Sequence, residues 1–338
     1  MSDKPKKVAL IAGDGIGPEV VESCTKVIEA TGVLIHWIPV EAGGSSLVKG
    51  KEIIPQETLK IISDCGVAYK GPLMTPVGTG HRSANVLLRQ HFTLFANVRP
   101  IRSIVGIKTR YENIDLVVVR ENTEDLYSGL EHIVVPGVVE SIKVITAQAS
   151  ERIARFTFDY CRKNKRKKVT VAHKANIMKL SDGLFLESIK KVHREYSEIS
   201  YEEMIVDNLC NQLVIRPETF DVILATNFYG DIISDLCAGF VGGLGVVPGA
   251  NYGTDCAIFE AVHGTAPDIA QKGVANPTAM LLSGCLMLEY LGFEKESKKI
   301  LHALELIFSR VKKNLTKDLG GEASTSEFTK SLIEEVKK

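Results

Sequence analysis

Apolar residues along the chain fall into short runs that alternate with stripes of helical spacing. The opening stretch "KVALIAGDGIGPEVVESCTKVIEATG" predicts a buried strand, a glycine turn and an amphipathic helix from about Pro18 to Ala30. Pro18 inside the first turn and Gly32 beyond the last residue are the expected punctuation. The alternation continues. "LIHWIPV", "GVAYKGPL", "IDLVVVREN", "GVVESIKVIT", "KVTVAHKAN", "ISYEEMIVD", "FDVILATN" and "CAIFEAVHGT" read as strands. "PQETLKIISDC", "SANVLLRQHFTLF", "AQASERIARFTFDYCRKN", "SDGLFLESIKKVHREYS" and "PTAMLLSGCLMLEYLG" read as helices, and the C-terminal segment is helical. Such alternation predicts α/β architecture with both faces of the sheet covered.

Composition narrows the function classes. The chain has 338 residues, enough for one large domain or two ordinary ones, and no internal repeat or low-complexity linker divides it. Lys plus Arg equals Asp plus Glu at 41 each, which argues against nucleic acid or an anionic membrane as the main partner. The basic run "RKNKRKK", 162–168, reads as a solvated helix end favoured by the macrodipole. Seven widely spaced cysteines without a C-x-x-C point to a reducing compartment rather than a disulfide or zinc scaffold. The apolar run near the N-terminus is too short for a secretory segment. The longest uncharged stretch, between Asp235 and Asp255, is broken by six glycines and Pro248, so no membrane span is expected. The expected location is cytoplasmic; a mitochondrial matrix protein after removal of its transit peptide would read the same way.

Several strings carry possible chemistry. In "YGDIISDLCAG", Asp231 and Asp235 stand four apart on one helix face. Two carboxylates about 6 Å apart repel by roughly 3 kcal/mol at an effective dielectric near 20, so something must compensate. A bound cation and a helix N-terminus are both open explanations. "GDGIGPE" lies between strand and helix, where phosphates are often cradled, but Pro18 stands where a dinucleotide fingerprint needs its third glycine; a plain tight turn is an equal reading. Ser83, Asn85 and Arg89 begin a helix, Arg99 follows a short apolar run, and Arg120 ends a strand shortly before Tyr127. Three guanidiniums reaching one cleft would suit a small polyanion, because each can grip a carboxylate with two hydrogen bonds. Ser83 could equally be an N-cap. Lys174 and Asn176 follow a buried strand, where ligands bind in open α/β sheets, although a surface lysine would look the same. "EAVHGTAPDIAQKGVANP" forms a small-residue loop whose bare amides could approach an adenosine diphosphate.

Taken together, "GDGIGPEV", "RENTEDLYSG", "HKANIMK", "NFYGDIISDLCAG" and "HGTAPDIA…ANPTA" resemble, in order and over nearly the whole chain, the metal-dependent β-decarboxylating dehydrogenases of the isocitrate/isopropylmalate dehydrogenase family, and most closely those members that oxidise isocitrate with NAD. The resemblance implies a large α/β domain from 1–98 and 242–338 and a smaller central α/β domain, 99–241, carrying a dimer contact. It implies that Asp231 and Asp235, with Asp207 from a second subunit, hold Mg2+ or Mn2+. Arg89, Arg99 and Arg120 would grip substrate carboxylates, Ser83 and Asn85 would address the γ-carboxylate, and Asn176 would also lie at the substrate. The polar "RSAN" favours isocitrate over 3-isopropylmalate or homoisocitrate, since buried hydrogen-bonding groups reject a ligand that cannot pair with them. NAD would be held by Thr75, His263, Gly264, Thr265, Ala266, Asp268, Ile269 and Asn276. Asp268 would accept from ribose hydroxyls and repel a 2′-phosphate.

The implied reaction is oxidative decarboxylation to 2-oxoglutarate and CO2. The metal lowers the pKa of the C2 hydroxyl, Lys174 of a second subunit helps remove its proton, and Tyr127 protonates C3. Active sites shared in a homodimer or higher homo-oligomer follow. A regulatory subunit of a hetero-oligomer is the alternative from another class; the presence of Tyr127, Lys174, Asp207, Asp231 and Asp235 favours a catalyst. Asp125 and Leu126 stand where relatives often carry Gly and Glu.

Overall fold

The computed structural model describes residues 5–74, 83–310 and 314–338. Thr75, expected at the cofactor, lies outside them. The first segment gives β1 (Lys6–Ile11), α1 (Gly17–Ala30), β2 (Ile35–Val40), α2 (Gly44–Val48), α3 (Gln56–Cys65) and β3 (Val67–Lys70). The middle gives α4 (Ala84–His91), β4 (Ala96–Arg102), β5 (Asp115–Glu121), β6 (Glu131–Val135), β7 (Val138–Ser141), α5 (Ala147–Asn164), β8 (Lys168–His173), α6 (Ser181–His193), β9 (Ser200–Ile205), α7 (Val206–Ile215), β10 (Val222–Ala225) and α8 (Asn227–Ala238). Then follow β11 (Pro248–Tyr252), β12 (Ala257–Ala261), α9 (Thr278–Tyr290), α10 (Glu294–Ser309) and α11 (Thr325–Val336).

One ten-stranded sheet runs through the described residues in the order β2-β1-β3-β12-β11-β4-β5-β10-β8-β9. β2, β1, β3 and β12 are mutually parallel, as are β5, β10, β8 and β9. β11 and β4 join the two groups by antiparallel pairing. The apolar cores follow the same division. α1, α9, α10 and α11 bury Val20, Ile28, Met280, Leu304 and Phe328 against one end of the sheet, and α5 and α6 bury Phe158, Phe185 and Ile189 against the other. The remaining face of each end is covered as well. Fully buried parallel strands explain the unbroken apolar runs "LVVV" and "VILA".

Local chemistry sets the element ends, at α1 as the pattern predicts. Pro18 enters α1 at its first turn, Gly66 closes α3 in a left-handed conformation, and Ser324 with Glu327 forms a capping box on α11. The basic run closes α5 and is answered within the chain. Arg162 pairs with Glu198, and Arg166 with Asp115 and Asp221. No helix among the described residues is long and apolar enough to cross a membrane.

Four elements depart from the predicted pattern: α2, β4, β6 and β11. β4 carries Asn97, Arg99 and Pro100, and β11 lies inside the glycine run and carries Asn251. Polar residues, glycine and proline argue against a central strand, yet these two are the middle of the sheet. β6 and β7 form a separate two-stranded ribbon whose Ile133, Val135 and Val139 are exposed. It has no buried face to impose an alternation.

Buried charge at the sheet's centre makes stability depend on pH. Glu260 on β12 lies 2.6 Å from Lys70 on β3, both nearly inaccessible to solvent. Burial pushes the Glu260 carboxyl up, but Lys70, Arg89 and the bond from Asn251 outweigh it and bring it from 4.5 down to about 2. A carboxyl depressed in the folded state stabilises fully above its ordinary value, and that contribution is lost as pH falls through the folded one. Thermal midpoints of the wild type should therefore fall between pH 4.5 and about 2 more steeply than those of Glu260→Gln; parallel slopes would contradict this assignment.

Candidate functional site

α8 is the platform of the site. Its N-cap, Thr226, is extended, and the backbone N–H of Phe228 donates to the Asp125 carboxylate at 2.9 Å. Asp231 and Asp235 then project one turn apart, both beyond the first turn, so the helix N-terminus is not what offsets their repulsion. Arginines do. Arg120 of β5 donates to Asp231, and Arg99 of β4 donates to Asp235 at 2.7 Å and lies 3.5 Å from Asp231. The charge compensation that a cation would provide is thus already supplied in part by the chain. Gly230 makes this approach possible, because a Cβ there would stand 2.6 Å from Cγ of Arg120.

Tyr127 completes the cluster. Its hydroxyl donates to Asp231, and the Arg120 guanidinium lies 4.9 Å from its ring centroid. Burial and the bond to Asp231 push the phenol above its ordinary value, so it keeps its proton at neutral pH. Burial also pushes the Asp231 carboxyl up, but Arg120, Tyr127 and Arg99 overcome this and hold it below its ordinary value. A phenol held protonated in this way can donate only to a more basic centre, such as a carbanion or enolate.

The loop between β5 and Tyr127 depends on Asp125. It is fully buried, at φ 73°, a region that favours glycine, and its carboxylate accepts from Leu126 N and Phe228 N. The aspartate thereby also caps α8. Lys143 lies 4.0 Å from Asp125 and 2.5 Å from Asp182, and Asp182 in turn accepts from the backbone N–H of Lys174 at 2.6 Å.

Beside this cluster opens a cleft of about 480 Å3, lined by Lys70, Asn85, Arg89, Arg99, Glu260 and His263 among others, and by Gly264. Asn85 and Arg89 reach it from successive turns of α4, with Ser83 at the N-cap position of that helix. Asn85 Oδ1, Arg89 Nε, Arg120 Nη2 and His263 Nε2 are buried without a protein partner. Orphaned buried polar atoms are costly, so the three on residues lining this cleft, those of Asn85, Arg89 and His263, mark where a polar ligand belongs.

The "GDGIGPE" turn is a buttress for the loop after β12. Ile16 N donates to the carbonyl of Thr265, and a Cβ on Gly15 would stand 2.0 Å from that oxygen. Asp14 accepts from the backbone of Gly44, Ser45 and Met74. The string thus forms a tight turn held by contacts within the chain. His263 is tuned downward by burial and stays neutral at pH 7. Ala266 sits at φ 40°, Gly264 and Asp268 are exposed, and Ile269 is partly buried. Asn276 is engaged within the chain, donating to Asp318 at 2.8 Å and accepting from Thr278 N; its expected cofactor contact would have to come from outside those two bonds.

Lys174, Asn176 and Asp207 form a separate group. Lys174 Nζ lies 2.6 Å from Asp207 on α7, whose side chain is 67% exposed, and Asn176 is exposed. Among the described residues no three His, Cys, Asp or Glu side chains converge as a metal site. One chain therefore supplies Asp231 and Asp235 as hard oxygen donors, a set suited to Mg2+ or Mn2+, and a third carboxylate would have to come from another chain. Asn97, Asn122, Asn251, Lys70 and Glu260 escaped the sequence reading, which named Asp125 only as a departure from the family pattern. The one available signal was their polarity inside otherwise apolar strand neighbourhoods.

Comparison with known proteins agrees with this geometry. The family described as isocitrate/isopropylmalate dehydrogenase matches residues 7–336. The chain is 50% identical over 333 residues to a probable mitochondrial alpha subunit of NAD isocitrate dehydrogenase from Drosophila melanogaster, covering 98% of this chain and 88% of that one. It is 51% identical over 338 residues to a mitochondrial regulatory subunit of NAD isocitrate dehydrogenase from Dictyostelium discoideum, covering 99% and 93%. The crystal structure of isocitrate dehydrogenase from Methylococcus capsulatus superimposes with a TM-score of 0.95 at 48% identity, covering 98% of this chain and 99% of that one. Sequence, fold and the ordering of charged groups around α8 agree: the chain belongs to the isocitrate/isopropylmalate dehydrogenase family.

Proposed function

We infer that this protein oxidises isocitrate to 2-oxoglutarate and CO2 with NAD as hydride acceptor, dependent on Mg2+ or Mn2+. The observation that carries the reading is the cleft in which Asn85, Arg89 and Arg99 converge beside Asp231 and Asp235, with the Arg89 Nε donor lacking a partner. A tricarboxylate satisfies such a set, and an isopropyl group would leave it unpaired. When bound, the divalent ion supplies Lewis acidity at the substrate's hydroxyl and carboxylate, and NAD supplies the hydride acceptor.

The chain's own groups do the rest. Arg89, Arg99 and Arg120 hold carboxylates in a fixed orientation, and burial of their guanidiniums strengthens the grip. Tyr127, kept protonated, delivers its proton to C3 after decarboxylation. Asp231 holds the phenol in place until then. Ser83 and Asn85 read the γ-carboxylate. His263, Gly264, Thr265, Ala266 and Ile269 bed the cofactor, Asp268 reads the ribose hydroxyls, and Thr75 and Asn276 flank them. Lys174 of a second copy takes the hydroxyl proton, with Asn176 beside it and Asp207 as third metal ligand. The segment 99–241 carries the contact between copies, and its apolar ribbon of Ile133, Val135 and Val139 supports that role.

We take the assembly to be a homodimer or higher homo-oligomer; relatives with alpha and regulatory names admit mixed assemblies of homologous chains too. The cytoplasmic expectation finds no support in those relatives, whose names place them in mitochondria, and the matrix alternative agrees with them.

Purified chain should turn over isocitrate with NAD and Mn2+, faster than with NADP, and lose activity in chelator. A preference for 3-isopropylmalate, or turnover unaffected by chelator, would refute the reading. Asn85→Leu should lower kcat/KM for isocitrate by about 10- to 100-fold, as expected for a lost bond to a charged group; an unchanged value would remove Asn85 from the site. Asp231→Asn and Lys174→Met, each inactive alone, should recover up to about a quarter of wild-type activity when co-expressed, because random pairing yields mixed dimers with one intact site. No recovery would place both residues in one chain's site.

A further inference from the structure

The centre of the sheet holds a line of buried side chains that no step above uses. Asn97 on β4 and Asn251 on β11 are directly opposite one another in register, and each is 1% exposed. Asn97 Nδ2 donates to Asn251 Oδ1 at 2.8 Å, and Asn122 Nδ2 donates to the same oxygen at 3.1 Å. Asn251 Nδ2 donates to Glu260 Oε1 at 2.8 Å and to the carbonyl of Ile258 at 3.2 Å. All four hydrogen-bonding positions of the Asn251 amide are thus filled. At the other end, Arg99 Nε donates to Asn97 Oδ1 at 3.0 Å, while Arg99 Nη1 reaches Ser234 at 2.6 Å and Asp235 at 2.7 Å.

Every bond in this line points the same way, from the Arg99 cation to the Glu260 anion. The ends dictate that sense. A guanidinium can only donate, so it requires the oxygen of Asn97. An ionised carboxylate can only accept, so it requires the amide hydrogens of Asn251. Flipping either amide would set donor against donor or acceptor against acceptor. Bonds aligned head to tail polarise and reinforce one another in a low dielectric.

We propose that Asn251 is a positioning residue that couples the two sides of the cleft, fixing Glu260 against Lys70 at one end and, through Asn97, fixing Arg99 against Asp235 at the other. It touches no reacting atom. It rests on the reading above only in that Arg99 grips a substrate carboxylate.

Asn251→Asp turns the Glu260-facing donor into an acceptor without changing shape. KM for isocitrate should rise about tenfold, as for a lost bond to a charged group, with kcat less affected. Asn251→Asp with Glu260→Gln restores a donor facing an acceptor and keeps the total charge. The pair should recover most of the KM, which a purely structural defect would not allow. A crystal structure of Asn251→Asp should show the Arg99 guanidinium displaced from Asp235. Unchanged KM in Asn251→Asp, no recovery in the pair, or an undisplaced Arg99 would overturn the proposal. If the wild type itself fails to oxidise isocitrate, the proposed reaction falls and the position of Arg99 still decides this point. Should Asn251→Asp not fold, Asn97→Ser interrupts the same line one link away and is read by the same KM and the same Arg99 position.

Discussion

A guanidinium buried in a β-sheet must find an anion, and the answer to Arg120 organises the site. Arg120 is 1% exposed, and burial, with the neighbouring Arg89 and Arg99, lowers its pKa to about 10. An ion so placed is tolerated only with a close, well-oriented partner. Asp231 provides one charge and Asn227 a further acceptor at 2.9 Å. Both lie on α8, so the pairing sets that helix's rotation over β5, and Gly230 sets how close it comes. Tyr127 bonds the same aspartate. The strand, the acidic helix and the proton donor are therefore held by one ion pair.

Charge in the cleft is arranged on two levels. Deep in the sheet, Lys70 with Glu260 and the Arg120 guanidinium are nearly closed to solvent, while Asp231 is about one-third exposed. Nearer the surface, Asp235 is about half exposed and keeps oxygen available. Rigid inner pairs hold the outer groups to fixed positions, which is what differential binding of a reacting state needs. The glycine turn after β1 does the equivalent service for the loop after β12. It presents backbone to backbone, at a distance no side chain would permit.

The periodic elements were legible because burial writes itself into spacing. α5 was read over the residues it occupies, and the apolar runs of β5 and β10 marked a sheet covered on both faces. β4 and β11 were not legible, since Asn97, Arg99, Pro100 and Asn251 violate every strand preference. The polarity of Asn97, Arg99 and Asn251 is answered in part by partners 129 to 154 positions away in the sequence, which local pattern cannot show. At the site, Asp231, Asp235, Arg99, Arg120 and Tyr127 lie together as expected, while Asn251 was not foreseen, because an asparagine in a glycine run looks ordinary, and Asp125 stood out without its capping role being legible. Lys174 and Asp207 were found as a pair apart from the rest.

The join between β4 and β11 is a ladder of backbone bonds, with no tether between the two ends of the sheet. Cutting the gene there would not liberate two modules. Each fragment would present a bare inner strand, with unpaired amides and carbonyls alongside amide side chains made for burial, and such rims recruit one another into aggregates. The polypeptide also weaves across this line more than once.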